Sequence, residues 1–197
     1  MNQTVWYKFK KYIFRFIGDI KWTGVRHPLW FVINAKTFQL KGKHYRKVEP
    51  LIKPGDIVIR RFEGYVDKWL IPGWWNHAGL YIGPTKDGEH KVVHAISDGV
   101  IIEDLIDFMR TDHMIVLRAP CFYRGEAIER AKKAVGSEYD FAFEFSNKLR
   151  FSCTELIGHC YDTLIIGDIR FGRETIIADD IINSPGLKVV WDSRKDG

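Results

Sequence analysis

Residues 151–162 of this 197-residue chain read FSCTELIGHCYD, and this stretch predicts the helix around which the fold is organised. Ser152 followed three residues later by Glu155 is a typical helix start, and apolar residues continue at helical spacing through Cys160. Cys153 would then lie in the first turn, where free backbone N–H groups and the positive end of the helix dipole stabilise a thiolate. Cys153 is therefore a candidate nucleophile that needs a base elsewhere in the chain.

The composition indicates one domain with a basic N-terminal part. A chain of this length can bury about two-thirds of its unfolded surface. Residues 1–50 contain eleven Lys and Arg against two acidic residues, a net +9, whereas the whole chain carries +5. An acidic partner would meet the chain in that part. Three cysteines are few for a disulfide scaffold, and the apolar residues near the start are interrupted by charges. These features favour a cytoplasmic protein without a signal peptide or membrane span.

The first fifty residues are interpreted as an extension ahead of a domain at residues 51–197. Large apolar residues at three- and four-residue steps predict an amphipathic helix over residues 5–20. Its basic face could lie on an anionic membrane surface as a peripheral attachment, or the helix could pack on its own domain. Residues 21–50 mix aromatic and basic side chains, but they show no RNA-binding signature, so nucleic acid is an unlikely partner.

Beyond residue 50 the apolar pattern predicts short strands and helices. Strands are expected at residues 57–60, 76–83, 91–95, 99–102, 113–118 and 187–191. Helices are expected at residues 104–110, 125–135, 153–163 and 176–182. Asp56 is expected to shape the turn that opens the first strand. Short strands ahead of a cysteine helix predict an α+β fold, with a small antiparallel sheet packed against helices.

His77 and His94 are the best candidates for the base. They lie in adjacent predicted strands joined by a turn, so both side chains could reach one face of the sheet. In a cysteine-histidine hydrolase the imidazole takes the thiol proton, and a polar third group holds the ring. Each residue also has an ordinary structural explanation, since histidines on strands are often hydrogen-bonded core residues and cysteines at helix starts are often inert.

The order of six short motifs resembles the circularly permuted branch of the NlpC-type, papain-like cysteine hydrolases, the group that includes the YiiX-like bacterial proteins. The motifs are PGDIV at 54–58, NHAGLYIG at 76–83, VHA at 93–95, GSEYDF at 136–141, CTEL at 153–156 and ADDIINSP at 178–185. The resemblance covers about residues 51–191. It implies an amide or peptide hydrolase in which Cys153 is the nucleophile, His77 the base and His94 the orienting group. It also implies that Tyr139 helps to bind the substrate carbonyl, with a packed aromatic residue as the alternative.

Three other interpretations stay open. His90 and His94 have the spacing of zinc ligands on a helix, but the residues between them favour a strand, where two such ligands could not share a metal. Lecithin:retinol acyltransferase-like relatives keep the permuted order and move acyl groups on lipids, although they carry a different motif at the nucleophile. A non-catalytic binding module could also retain the fold. No cofactor and no metal site are implied, and the oligomeric state is unknown.

Smaller roles are expected for several further residues. Cys160 lies two turns beyond Cys153 on nearly the same helical face and is expected in the core. Glu155 matches the family motif, but as an acid in the first turn it can serve the helix end. Trp69, Trp74 and Trp75 either line a substrate cleft beside His77 or pack in the ordinary way.

Overall fold

The computed structural model describes residues 7–9, 11–13, 38–63, 73–142, 149–170 and 172–196, and its centre is a six-stranded antiparallel sheet. The strands of the sheet are β1 (Ile57–Arg61), β2 (His77–Pro84), β3 (His90–Ile96), β4 (Gly99–Asp104), β5 (His113–Arg118) and β8 (Lys188–Asp192). Strands β6 (Asp168–Arg170) and β7 (Arg173–Thr175) form a separate two-stranded ribbon. The α+β class expected from the sequence is confirmed.

The helices follow the order of the chain. They are α1 (Gly42–Val48), α2 (Leu105–Phe108), α3 (Cys121–Ala134), α4 (Cys153–Cys160) and α5 (Ala178–Asn183), with a 3-10 turn at Ser193–Lys195. Within the sheet the strand order is β4-β3-β2-β1-β5-β8, so β2 and β3 lie side by side. None of the helices among the described residues is long and apolar enough to cross a bilayer.

Side chains that alternate along the strands build two apolar layers. Ile57 and Ile59 belong to a first layer, while Val58 between them belongs to a second. Because successive strand residues point to opposite faces, the two layers lie on opposite sides of the sheet. Helix α4 packs into the first layer through Leu156 and Ile157. The short α2 and the end of α1 pack into the second.

The predicted strands agree with the structure to within two residues at each end, but some helix bounds differ. Helix α3 begins at Cys121 rather than 125 because Pro120 caps it with an extended backbone. Helix α4 ends at Cys160, because the backbone of Tyr161 leaves the helical conformation and its hydroxyl donates to the carbonyl oxygen of Gly55. Helix α1 was not predicted, since only two of its seven residues are buried and they give no apolar stripe.

The described residues cover the predictions for the N-terminal part only partly. Residues 7–9 and 11–13 are helical, in agreement with the helix predicted over residues 5–20. The rest of that helix, residues 14–37 and Trp69 lie outside the described residues. Val48 of α1 packs into the second layer, although it comes before residue 50. The division into an extension and a domain at residue 50 stays a prediction.

An ion pair between buried Asp56 and half-buried Arg118 joins the start of β1 to β5. Asp56 is fully buried, and its carboxylate accepts hydrogen bonds from Arg118 Nε at 2.8 Å and Arg118 Nη2 at 2.6 Å. The backbone N–H of Lys53 donates to the same carboxylate at 2.7 Å. Asp56 therefore closes the turn ahead of β1, as the sequence predicted, and also fixes that turn to a strand 62 residues further along the chain.

Candidate active site

Helix α4 starts as the sequence predicted. The backbone N–H of Ser152 donates to Glu155 Oε2 at 2.7 Å, and the N–H of Glu155 donates to Ser152 Oγ at 3.4 Å. This reciprocal capping box leaves Cys153 as the first residue of the helix, with 6% of its surface exposed. Only a small part of Cys153 is thus open to a ligand.

The sulfur of Cys153 lies against the beginning of β2. Burial raises the pKa of the Cys153 thiol, while the backbone N–H groups of Ala78, Thr154 and Cys153 itself act in the opposite direction. Ala78 directly follows His77, so the sulfur reaches the strand beside that histidine. In this setting the desolvation of the thiolate outweighs the backbone N–H groups, so the net shift of the Cys153 pKa is upward.

His77 and His94 are in direct contact. His77 Nε2 lies 2.9 Å from His94 Nδ1, and the two rings are nearly perpendicular. In the register of β2 and β3, Gly79 is opposite His94, which makes His77 and His94 diagonal neighbours on one face. A Cβ atom at Gly79 would lie 3.2 Å from the Cβ of His94. Glycine at this position therefore leaves space for the His94 side chain to reach His77. With Nε2 engaged, Nδ1 is the nitrogen of His77 that can serve a thiol.

Two residues that the sequence reasoning missed continue this chain of contacts. His94 Nε2 lies 3.1 Å from Glu103 Oε2 on β4, and Arg60 Nη1 lies 3.4 Å from the same oxygen. The Arg60 guanidinium also donates to the carbonyl oxygen of Phe108 at 2.8 Å and stacks on that ring. A signal for Glu103 was present, because the two-residue turn between β3 and β4 sets Ile101 opposite His94 and puts Glu103 on the same face.

Arg60 interacts electrostatically with both Glu103 and the sulfur of Cys153. Burial lowers the pKa of Arg60 to about 10, and the charges of Glu103 and of a Cys153 thiolate act against that shift. The sulfur therefore lies within electrostatic reach of the same guanidinium that contacts Glu103. Arg60, His77, His94 and Glu103 form one electrostatic unit, and Cys153 lies within reach of the Arg60 charge.

The two imidazoles are neutral. Burial is the main cause, and with the nearby Arg60 guanidinium it keeps the pKa of His77 well below its usual range. Burial also lowers the pKa of His94, against the hydrogen bond of Glu103. For Glu103 burial alone would raise the pKa, but the contacts with His94 and Arg60 outweigh it and the net shift is downward. The cluster thus holds an ionised carboxylate beside two neutral rings.

Tyr139 lies on the segment between α3 and α4. The backbone N–H of Phe151 donates to the carbonyl oxygen of Glu138 at 3.1 Å, which ties this segment to the residues just before Cys153. The ring of Tyr139 lies 4.8 Å from that of Phe141. The hydroxyl of Tyr7, from the N-terminal helical residues, donates to the carbonyl oxygen of Tyr139 at 2.5 Å.

The remaining candidate residues have structural partners. Cys160 is buried in the first layer, as expected, and burial raises its pKa to about 12. The backbone N–H groups of Trp74 and Trp75 donate to Asp179 Oδ2, and the buried ring of Trp75 belongs to the first layer. His90 lies on β3, as the strand pattern predicted, with its Nδ1 at 2.6 Å from the hydroxyl of Tyr81. The described parts of the chain hold no group of three side chains suited to a metal.

Glu155 makes the stability of the protein depend on pH. Burial raises the pKa of Glu155 to about 7 from its usual 4.5, so the folded chain keeps a proton that the unfolded chain has lost. The resulting stabilisation is present at low pH and is lost as the pH rises through about 7. We expect that Glu155→Gln, which cannot ionise, gains stability relative to the wild type between pH 5 and pH 8. Urea unfolding across that range tests this.

The two buried histidines, His77 and His94, give a second pH effect that the wild type and Glu155→Gln should share. Their pKa values are lowered, so the unfolded chain binds protons first, and stability falls as the pH drops below about 6.5. This loss should be the same in the wild type and in Glu155→Gln. A difference between the two proteins that stays constant from pH 5 to pH 8 would contradict the role of Glu155.

Comparison with known proteins identifies the family and supports the fold. The family model of a permuted papain-like amidase enzyme, the YaeF/YiiX or C92 family, matches residues 51–195. The crystal structure of metalloprotein yiiX from Escherichia coli O157:H7 is similar in fold, with a TM-score of 0.60 and 15% identity over 73% of this chain and 98% of that one. No curated protein sequence matches significantly. Because the family model covers most of the chain, the protein belongs to the permuted papain-like amidases of the YaeF/YiiX family.

Proposed function

We propose that this protein is a cysteine hydrolase that cleaves a peptide or other amide bond through a thioacyl intermediate. Cys153 is the nucleophile, His77 the base and His94 the group that orients it. The observation that carries the proposal is the 2.9 Å contact between His77 Nε2 and His94 Nδ1, next to the strand residue whose amide meets the sulfur. Membership of an amidase family supports the same reaction class.

The first step forms the thioacyl bond. The sulfur of Cys153 attacks the carbonyl carbon while Nδ1 of His77 takes the thiol proton. Since the thiol pKa is raised and the imidazole pKa is lowered, the resting pair is neutral and the proton moves as the sulfur attacks. Glu103 and Arg60 are positioning residues, because they hold His94, which holds His77.

The second half of the cycle reverses the proton transfer. The protonated His77 donates its proton to the leaving nitrogen as the C–N bond breaks, and an amine is released. His77 then takes a proton from water, whose oxygen attacks the thioacyl carbon, and the acid leaves as the thiol re-forms. In both steps the backbone N–H of Cys153 and the hydroxyl of Tyr139 are the proposed donors to the negative oxygen.

The substrate class is part of the proposal. Peptides, isopeptides and peptidoglycan stem peptides all offer the amide that this chemistry cleaves. The alternative is transfer or removal of a lipid acyl group by the same cysteine, and a binding module without turnover is the second alternative.

The test is the rate at which iodoacetamide alkylates Cys153 as a function of pH, followed by peptide mass spectrometry. In the wild type we expect Cys153 to be alkylated at neutral pH, because His77 takes the thiol proton as the sulfur attacks. This reactivity should be lost only well below pH 6.5, where His77 becomes protonated. His77→Ala should lose this reactivity. Glu103→Gln should reduce it less, because Glu103 acts through His94.

One control is a second cysteine measured in the same experiment, and the other is a variant at an exposed acid. Cys121 is exposed and supplies a reference rate in each variant, while Glu129→Gln makes the matched change at an exposed acid on α3, outside the cluster. If Cys153 titrates like an ordinary thiol in both the wild type and His77→Ala, the pair does not operate. The binding module would then be the better interpretation.

We also propose that the N-terminal helix meets an anionic membrane surface. Among the described residues there, Phe9, Tyr12 and Ile13 are exposed large hydrophobic residues, with 53%, 74% and 38% of their surfaces accessible. Lys8 precedes Phe9, Lys11 lies between Phe9 and Tyr12, and residues 1–50 carry a net charge of +9. Exposed aromatic residues beside lysines are typical of helices that lie in the headgroup region.

Vesicle co-sedimentation tests this second proposal. The full chain should sediment with vesicles that contain an anionic phospholipid, and less so at high salt, but not with pure phosphatidylcholine. Replacing Lys8 and Lys11 by glutamate, or removing residues 1–22, should weaken the sedimentation. Equal sedimentation of the full and shortened chains would contradict a membrane role for this helix, whatever the outcome for the cysteine.

A further inference from the structure

Asn76, the residue before His77, is buried without hydrogen-bond partners. Only 5% of its surface is exposed, and neither its Nδ2 nor its Oδ1 has a partner within the part of the chain that the structure describes. Both atoms are unpaired, so exchanging the nitrogen and oxygen of the amide would change nothing. Buried amides in folded proteins are nearly always bonded, because an unpaired one loses its contacts with water and gains none. A donor and an acceptor are thus held ready for a ligand.

The position of Asn76 connects it to the proposed active site. Its neighbours are Trp75, packed in the first layer, and His77, bonded to His94. Ala78, two residues on, presents its backbone N–H to the sulfur of Cys153. Consecutive Cα atoms are about 3.8 Å apart, which is also the spacing between successive peptide groups of a bound substrate. Asn76 is therefore one residue from the proposed base and two residues from the amide that meets the sulfur.

The unpaired carboxamide of Asn76 favours a ligand that can both accept and donate a hydrogen bond. One N–H donor beside one carbonyl acceptor matches a second amide group, which offers the complementary pair. An ester, a carboxylate or a phosphate has acceptors only and would leave Oδ1 of Asn76 unpaired. The acyl part of the substrate stays attached to the sulfur through both chemical steps, so a group that binds it serves the whole cycle.

We propose that the Asn76 carboxamide binds the amide group next to the scissile bond on its acyl side, which makes the substrate an N-acylated amino acid or peptide rather than a simple lipid amide or ester. This inference rests on the proposed cysteine hydrolase and names its substrate class. Asn76 is then a specificity residue, and its burial without partners is the state of a site that awaits substrate.

Two aldehydes of equal chain length test the proposal without a known substrate. Acetylglycinal carries an amide next to its aldehyde, and pentanal replaces that amide by two methylenes. Each forms a reversible hemithioacetal: the sulfur bonds to the aldehyde carbon, and the thiol proton ends on its oxygen. Protection of Cys153 from iodoacetamide measures their binding. Acetylglycinal should protect at a concentration about tenfold or more below that of pentanal, because two hydrogen bonds are added.

The variant Asn76→Leu should abolish this preference, so that the two aldehydes protect Cys153 at similar concentrations. Its melting temperature should rise, because a residue of similar size without unpaired polar atoms replaces the amide. A purely structural asparagine would give the opposite shift. Asn183→Leu, at an exposed helix position, is the matched control and should keep the preference. Asn76→Ala repeats the measurement if the leucine variant does not fold.

The outcomes separate this inference from the proposed function. Equal protection by the two aldehydes in the wild type, or a preference that survives in both Asn76 variants, overturns the role of Asn76 while the cysteine mechanism stands. If neither aldehyde protects Cys153 in the wild type, the proposed hydrolase fails, and the inference fails with it.

Discussion

Cys153→Ala is expected to abolish amide hydrolysis, with a loss of about 10⁵-fold or more in kcat, because no other group in the site can form the thioacyl bond. The fold should stay intact, since the capping box that starts α4 is made by Ser152 and Glu155 rather than by the cysteine. The measurement is turnover of any fluorogenic peptide amide that the wild type cleaves, with circular dichroism and melting temperature recorded on the same samples.

Cys160→Ala is the matched control for that experiment. Cys160 lies two turns further along α4, buried in the first layer, so losing its sulfur opens a small cavity. We expect a loss of about 1–2 kcal/mol in unfolding free energy with turnover preserved. A Cys160→Ala variant as inactive as Cys153→Ala, or a Cys153→Ala variant with wild-type turnover, would refute the assignment of the nucleophile.

Arg118→Met is expected to lower the unfolding free energy by about 3–5 kcal/mol. The variant leaves the carboxylate of Asp56 buried without its charged partner, and only the N–H of Lys53 still donates to it. The methionine keeps most of the apolar length of the arginine, so lost packing contributes little. Urea unfolding at neutral pH gives the value directly.

Arg110→Met provides the comparison. Arg110 pairs with Asp107 on the surface, where both side chains are more than half exposed. Solvent screens such a pair, and we expect its loss to leave the urea midpoint nearly unchanged. If the two arginine variants lose equal stability, the burial of Asp56 is not what makes the Arg118 contact matter.

The start of α4 could be predicted from the sequence because its determinants are local. Ser152 and Glu155 are three residues apart, and their mutual hydrogen bonds are those that the pattern predicts. The strands that carry His77 and His94 could be predicted for the same reason, since alternation within each short segment is enough. The roles of Cys153, His77, His94 and Tyr139 in catalysis stay predictions.

What could not be predicted depends on contacts between distant residues. The pairing of Asp56 with Arg118 joins positions 62 residues apart. The sequence around either residue contains no pattern that predicts this pairing. The isolation of Asn76 is visible only after every neighbouring donor and acceptor has been placed. Glu103 is intermediate, because the register of the β3–β4 hairpin would have brought it to His94 if that register had been worked out.

His77, His94 and Glu103 all come from β2, β3 and β4, which follow one another in the chain and in the sheet. The residues proposed to handle the proton therefore come from one meander of about thirty residues with short-range pairing, the kind of unit that folds early. Cys153 comes from a separate helix later in the chain. Because packing rather than sequence proximity brings the two segments together, the geometry of the site does not depend on which of them comes first in the chain.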